Sequence, residues 1–390
     1  MTKNKQKVLV AMSGGADSSA VAFLLQKEGF EVLGLYMKMG DEYQESEAAA
    51  RRVCKYLNIK FYPINIDAKF KKEVVDYFIS AYKSGETPNP CVKCNKLIKF
   101  GELLKWREKL GADFLATGHY VKKVLNKKTK EFELYKASDK TKDQSYFLYN
   151  LKQEQLKYLL FPLSELHKKD IKKMLAKEGV PTLQKESMDI CFLHKKGQAV
   201  SQTEYLSNII KLKPGAIRVI KKTKAKNESK KRETEVIGEH KGLPLYTIGQ
   251  RRGVEVGGTG PYYVVAMSYP QNILFVVKDS DDPLLMSRFL YSNDNSWLGN
   301  DARATSSKCQ AVIRYRHKSI ACEVFDEEIE KSLKLANKNS KKASVCKTVF
   351  SEKQRAVTIG QSIVWYKDDR LLGGGVVVRG EITDIEEYVV

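Results

Sequence analysis

The first 120 residues alternate between short apolar runs and longer segments with one apolar face, and that rhythm decides the fold class. "KVLVAM" (7–12) is a strand-length run rich in valine, and Ala20, Val21, Phe23, Leu24 and Leu25 then mark a helix face that Gly29 stops. "FEVLGLYMKM", "KFYPINID" and "ADFLATGHYV" read as further strands. "ESEAAARRVCKYLNI", "AKFKKEVVDYFISAYKSG" and "KLIKFGELLKWREKLG" read as the helices between them. Strands regularly separated by helices predict an α/β doubly wound, mostly parallel sheet. "VKKVLNKKTKEFELYKASD" reads as a hairpin and residues 164–181 as a basic amphipathic helix with a Leu166, Ile171, Leu175 stripe. Near residue 201 the alternation stops. The expected division is 1–201 for the α/β unit, 202–275 for a small β-rich unit and 276–390 for a β-barrel built from short strands with turn signals. Two Lys-rich low-complexity runs, 221–233 and 330–343, read as basic insertions.

The first strand-to-helix turn, "SGGADSS" (13–19), carries the strongest chemical signal. Gly14 and Gly15 let backbone approach a ligand, Ser13, Ser18 and Ser19 add hydroxyls, and a helix N-terminus directs N–H groups at the same point, so phosphate is the natural guest. The spacing is neither that of a Walker loop nor that of the dinucleotide fingerprint. The net charge of +21, from 68 Lys+Arg against 47 Asp+Glu, suits a polyanionic partner such as nucleic acid. No apolar run reaches the roughly 18 residues of a membrane helix. The N-terminal stretch lacks a secretory cleavage pattern, so the expected setting is a reducing cytoplasm.

In that setting "TPNPCVKCN" (87–95) poses a question, because two of only 7 cysteines stand two residues apart. A zinc clip, a redox pair, an iron–sulfur ligand set and a catalytic thiol all look alike at this range. Zinc lacks a second Cys-x-x-Cys, and only His119 among 5 histidines lies in a neighbouring motif, so no metal site is assigned. Cys54, Cys309, Cys322 and Cys346 lie on helix- or strand-like runs and read as buried core.

"SGGADS" resembles the pyrophosphate loop of the ATP pyrophosphatases. With "TPNPCVKCNKLIKF", "ATGHY", "KDQSYFL", "SMDICFL", "GLPLYTIGQRRG" and "RYRH" in this order, the chain resembles the tRNA-specific 2-thiouridylases from residue 8 to about residue 380. The resemblance implies ATP-dependent replacement of the 2-carbonyl oxygen of the wobble uridine by sulfur. Adenylation precedes attack by a cysteine persulfide, in a monomer that takes tRNA and is loaded by a persulfide donor protein. It implies ATP contacts at Ala11, Met12, Ser13, Gly14, Gly15, Ala16, Asp17, Ser18, Met37 and Gly118, with Asp17 helping to place Mg²⁺. It makes Cys94 the nucleophile and Cys191 the persulfide carrier, 97 positions apart, with a Cys94–Cys191 disulfide as the by-product of turnover. It implies tRNA contacts at Asn89, Pro90, Cys91, His119, Lys142, Asp143, Gln144, Arg314, Tyr315 and Gln361; Arg251 and Arg252 add plausible phosphate contacts. The chain departs from the family at Cys91, where many members carry Asp. An ordinary thiol, with a pKa of about 8.5, does not replace a carboxylate of about 4. Three alternatives therefore stay open: the same reaction through a [4Fe–4S] cluster on Cys91, Cys94 and Cys191, a small-molecule adenylating synthetase, and an RNA-binding module without catalysis.

Overall fold

The computed structural model describes residues 5–39, 44–183, 190–195, 198–221, 232–254, 256, 260–304, 308–330 and 342–381. Strand β1 (Lys7–Met12) leads into helix α1 (Ala16–Lys27), β2 (Glu31–Lys38), α2 (Gln44–Tyr56) and β3 (Lys60–Asn65). With β4 (Phe114–Ala116) and a two-residue strand at Leu159–Leu160, these give a five-stranded sheet ordered β3, β2, β1, β4, then Leu159–Leu160. Every pairing in it is parallel. Both faces are covered, which is why β1 reads as a continuous apolar run. Leu9 packs into one core with Phe70, Phe78 and Phe100. Val8, Val10 and Met12 pack into a second core with Ala20, Val21 and Cys54. The predicted doubly wound sheet is therefore present.

Two helical stretches depart from the sequence expectation. The segment after β3 runs as Asp67–Phe70, a π-helical Lys71–Val75 and Asp76–Lys83. The Cys-x-x-Cys lies on a short helix, Pro90–Cys94, that continues into a π-helical turn, Asn95–Lys99, before Glu102–Lys109. Pro90 opens that helix where a missing N–H costs nothing, and the Asn89 side chain caps it by accepting from the Val92 N–H at 3.4 Å.

Residues 202–275 are not wholly β. A helix, Gln202–Ile209, capped by Ser201, comes first. A four-stranded sheet then forms from Gly215–Ile220, Thr234–His240, Tyr263–Ser268 and Ile273–Val277. A boundary after residue 275 would cut the last of these strands, which pairs with both Gly215–Ile220 and Tyr263–Ser268, so the boundary moves past Val277. The C-terminal barrel closes through six strands. Met286–Trp297, which no sequence signal marked, pairs with Lys342–Arg355 on one side and Arg370–Gly380 on the other. The hairpin Val121–Leu125/Phe132–Lys136 adds to the edge of this sheet through Arg370↔Tyr135, although it belongs to the α/β unit in sequence. Of the basic insertions, 222–231 and 331–341 lie outside the described residues, as do Ser187, Met188 and Asp189 of "SMDICFL". No helix among the described residues is long and apolar enough to cross a membrane.

Candidate active site

In a parallel sheet, ligands gather beyond the carboxyl ends of the strands where strand order reverses. Here that point lies between β1 and β4, the central neighbours, with β2 and β3 to one side and Leu159–Leu160 to the other. The Ser13–Ser18 loop leaves β1 there, and Thr117, Gly118 and His119 leave β4 beside it. Met37 is the last residue but one of the neighbouring strand β2, paired with Ile64. Ala11, Met12, Ser13, Gly14, Gly15, Ala16, Asp17, Ser18, Met37 and Gly118 thus share one edge of the sheet.

The loop is held by its own hydroxyls. The Ser13 and Ser18 Oγ atoms are 3.1 Å apart, the Ser13 N–H donates to Ser18 Oγ at 3.1 Å, and Ser19 Oγ donates to the Gly15 carbonyl at 2.9 Å. Gly14 has φ +76°, a backbone state that glycine alone adopts at no steric cost. Gly15 caps α1 without any side-chain cap, which leaves the first-turn N–H groups to an anion. Gly118 answers to packing: a Cβ there would lie 3.0 Å from Asp17 Cβ, so the β4 loop closes directly onto the first turn of α1.

Asp17 faces two donors the sequence did not flag. Its Oδ1 accepts from the Tyr120 hydroxyl at 2.7 Å and from the Lys168 ammonium at 2.6 Å. Tyr120 lies within "ATGHY", whereas Lys168 is 151 residues away and only the fold brings it here.

Two of the cysteines meet at the core that Leu9 of β1 and Leu115 of β4 share. Cys94 is buried in the same core that Cys191 packs against, while Cys91 and Cys191 are half-buried. Burial pushes the Cys94 thiol up to about 12. Lys99 pulls it down, and negative charge on Cys191 or Cys91 would push it further up. The turn that carries Cys191 is anchored by Phe192, whose ring packs edge-on against Phe78 and Phe70 at 5.1 and 6.0 Å. Among the described residues no three His, Cys, Asp or Glu side chains converge as a metal-ligand set. The three cysteines as arranged do not form a cluster-ligand set.

His119, expected at a tRNA surface, is 6% exposed. Its Nδ1 pairs with Thr117 Oγ1 at 2.8 Å, and its ring lies 5.4 Å from Phe100 and 6.5 Å from Phe161. Burial, with the charge of Lys99, holds its pKa well below the ordinary histidine value. The neutral ring fills an aromatic slot between β4 and the Cys94 segment. Other expected tRNA contacts are also engaged inside the molecule. Asp143 accepts from the Ala137 N–H at 2.9 Å and the Ser145 hydroxyl at 2.7 Å, and Gln144 accepts from the Tyr120 N–H at 3.2 Å. Tyr315 donates to the Asp143 carbonyl at 3.0 Å, Arg314 to the Arg355 carbonyl at 2.9 Å, and Gln361 to the Thr87 carbonyl at 2.8 Å. Lys142 sits in a turn, its N–H donating to the Asp139 carbonyl at 3.0 Å. Arg251 and Arg252 are exposed on the middle unit.

A parallel sheet with a Ser-Gly-Gly-x-Asp-Ser loop at its switch point defines a nucleotide-binding α/β protein of the pyrophosphate-loop class, here extended by two β units. Matches to known families follow the same three parts. The tRNA methyl transferase HUP domain matches residues 6–195, the tRNA methyl transferase PRC-barrel domain 203–278, and the aminomethyltransferase beta-barrel domain 287–377. A tRNA-specific 2-thiouridylase MnmA of Alkaliphilus oremlandii is 37% identical over 383 residues, 95% of this chain and 96% of the relative. One of Vibrio parahaemolyticus is 36% identical over 398 residues, 97% of this chain and 98% of the relative. The chain belongs to the tRNA-specific 2-thiouridylase family. A solved U34-tRNA thiolase NcsA from Methanococcus maripaludis, with its [4Fe–4S] cluster, is 17% identical over 53% of this chain and 64% of its own, with TM-score 0.33, too slight a likeness to argue for either sulfur route.

Proposed function

We propose that the chain catalyses ATP-dependent 2-thiolation of the wobble uridine of tRNA, with Cys191 as sulfur carrier and Cys94 as the thiol that completes release. The uridine 2-oxygen attacks the α-phosphorus of ATP, the bond to the β-phosphate oxygen breaks, and pyrophosphate leaves into the Ser13–Ser18 loop. The terminal sulfur of a persulfide on Cys191 then attacks C2, and AMP departs with the original oxygen. The Cys94 thiolate attacks Cys191 Sγ, and the sulfur–sulfur electron pair passes to the substrate sulfur. The products are 2-thiouridine and a Cys94–Cys191 disulfide, which an external thiol reductant reopens before a persulfide donor protein reloads Cys191. Mg²⁺ would neutralise phosphate charge. Asp17, a partly exposed carboxylate at the loop, suits the usual set of one carboxylate plus phosphate oxygens and waters. Binding of tRNA through Asn89, Pro90, Cys91, His119, Lys142, Asp143, Gln144, Arg314, Tyr315 and Gln361, action as a monomer, and a cytoplasmic setting belong to the same reading.

One observation carries it. The phosphate loop and the core that buries the Cys94 thiol lie on one run: Gly118 closes on Asp17, His119 packs against Phe100, and Phe100 shares its hydrophobic core with Cys94. An adenylating centre and a sulfur-transfer centre on one run suit a two-stage reaction at a single base. The test uses Cys91→Ser, Cys94→Ser and Cys191→Ser made without oxygen, scored for 2-thiouridine formed, tRNA-dependent AMP and bound iron. The Cys94 and Cys191 variants should lose thiouridine formation while keeping adenylation, and Cys91→Ser should retain most of it. Stoichiometric iron together with an inactive Cys91→Ser would replace the persulfide route by a cluster.

A further inference from the structure

The loop after β1 has an unmet requirement. A triphosphate brings about four negative charges at neutral pH. A Walker loop meets them with a lysine in the motif itself, but "SGGADSS" contains no Lys or Arg and does contain Asp17. The cation must come from elsewhere in the fold.

We propose that Lys168 is that cation: it orients the β- and γ-phosphates of ATP and the leaving pyrophosphate, and Asp17 holds it in readiness while the site is empty. The inference deepens the ATP-dependent reading and rests on it. The Lys168 ammonium lies 2.6 Å from Asp17 Oδ1, with its side chain 12% exposed against 36% for Asp17. Among the described residues that oxygen is its single acceptor. An ammonium has three N–H donors, so two remain for oxygen at a place where the loop already presents unpaired backbone N–H groups. The acceptor is shared, since the Tyr120 hydroxyl donates to the same Oδ1 at 2.7 Å, and Asp17 keeps a partner when Lys168 turns away.

The mount is rigid. Lys168 is the first residue of the helix Lys168–Lys177, and its backbone N–H donates to Asp139 Oδ2 at 3.0 Å. Asp139 is itself buried and fixed by the Thr141 hydroxyl at 2.6 Å and the Thr141 N–H at 3.1 Å. Ile171 and Leu175 on the same helix sit in the core that holds Ala20 and Val21 of α1, so the helix cannot drift from the loop it serves. Only the flexible four-carbon stem of Lys168 has to move for its charge to pass from carboxylate to phosphate.

Lys168→Met and Lys168→Arg, made in the full chain, test this by titration calorimetry with ATP, pyrophosphate and AMP. Melting temperature, tRNA affinity and tRNA-dependent AMP release are measured alongside. Lys168→Met should weaken ATP and pyrophosphate at least tenfold, leave AMP within twofold because AMP lacks the phosphates in question, and leave tRNA affinity unchanged. Lys168→Arg should recover most of the loss. A lysine that only neutralises Asp17 would leave pyrophosphate affinity within twofold in the Met variant, and that result overturns the proposal, as does an equal loss for AMP. Should the Met variant misfold, reductively ¹³C-methylated wild-type protein decides. Its Lys168 resonance, identified by its absence in Lys168→Arg, should shift with pyrophosphate and not with AMP; no shift at saturating pyrophosphate refutes the assignment. A wild-type chain that neither binds ATP nor releases AMP with tRNA would instead bring down the ATP-dependent reading, and the proposal with it.

Discussion

The Cys94 thiol is set for silence in the free protein. Burial is the first cause that pushes its pKa up, to about 12, so at pH 7 the thiol is overwhelmingly protonated. Since the thiolate is the nucleophile, the sulfur transfer proposed for Cys94 waits on a change at this residue. The π-helical turn Asn95–Lys99 supplies the opposing influence. Its i→i+5 bond, from the Phe100 N–H to the Asn95 carbonyl at 2.9 Å, widens the turn, and the charge of Lys99 at its end pulls the Cys94 thiol down. Alkylation of Cys94 by iodoacetamide in the free protein should therefore quicken about tenfold per pH unit from 7 to 10 without a plateau, and Lys99→Met should slow it at every pH. The rate follows from mass spectrometry of the Cys94 peptide. A plateau near pH 8.5 would mean that the thiol is solvated rather than buried.

At the level of elements, two adjacent glycines in the phosphate loop look alike in sequence and differ in the fold. Gly14 has φ +76°, and a Cβ there would meet Ala49 Cβ at 2.7 Å and the Ala50 N at 2.8 Å, because α2 packs onto the loop. Gly15 has φ −79°, and its Cβ would meet only Ser13 Oγ at 3.6 Å. Gly14→Ala should cost about 1–3 kcal/mol through strain and overlap, and Gly15→Ala should stay within about 0.5 kcal/mol. Urea unfolding of the two variants checks the contrast, and equal costs would refute the packing of α2 on the loop. The same distinction shows what the sequence could carry. Periodicity made the alternation from β1 to β4 legible, and β1 was bounded to the residue because both its faces are apolar. Met286–Trp297 was illegible because its buried positions include Ser287, Ser292 and Ser296 rather than an apolar alternation. The 121–136 hairpin was legible as a hairpin, but its pairing with Arg370–Gly380 spans more than 230 residues and leaves no local trace. At the site, the loop and cysteines stood in motifs. Lys168 read as one lysine of a solvated basic helix, and only the packing of that helix on α1 gives it a partner.

Across the whole molecule, the barrel and the middle unit grip the segment that leads into the Cys94 helix. The Thr87 N–H donates to the Ile359 carbonyl at 2.9 Å, the Thr87 carbonyl accepts from Gln361 Nε2 at 2.8 Å, and Thr87 Oγ1 lies 3.1 Å from Thr247 Oγ1. Tyr269 donates to the Tyr82 carbonyl at 3.1 Å, with its ring over Gly85. Backbone just ahead of the cysteines is thus tied to all parts of the chain through single hydrogen bonds, each worth about 1 kcal/mol net. Gln361 belongs both to these ties and to the proposed tRNA contacts, so a tRNA that draws Gln361 away would release the Thr87 carbonyl and loosen the chain that leads into the Cys94 helix. Such coupling would let substrate arrival lift the suppression of the thiol. Gln361→Ala should imitate the release in the absence of tRNA. At pH 9 it should speed Cys94 alkylation several-fold over the intact chain. ATP affinity, assigned above by proposal to the loop after β1, should stay within twofold. The cost in global stability should be about 1 kcal/mol. Mass-spectrometric alkylation rates and calorimetric ATP titration on the same preparation make the comparison. If Cys94 reacts no faster in Gln361→Ala, the barrel holds the segment in place without governing the thiol, and the switch must lie within the Pro90–Lys99 helices themselves.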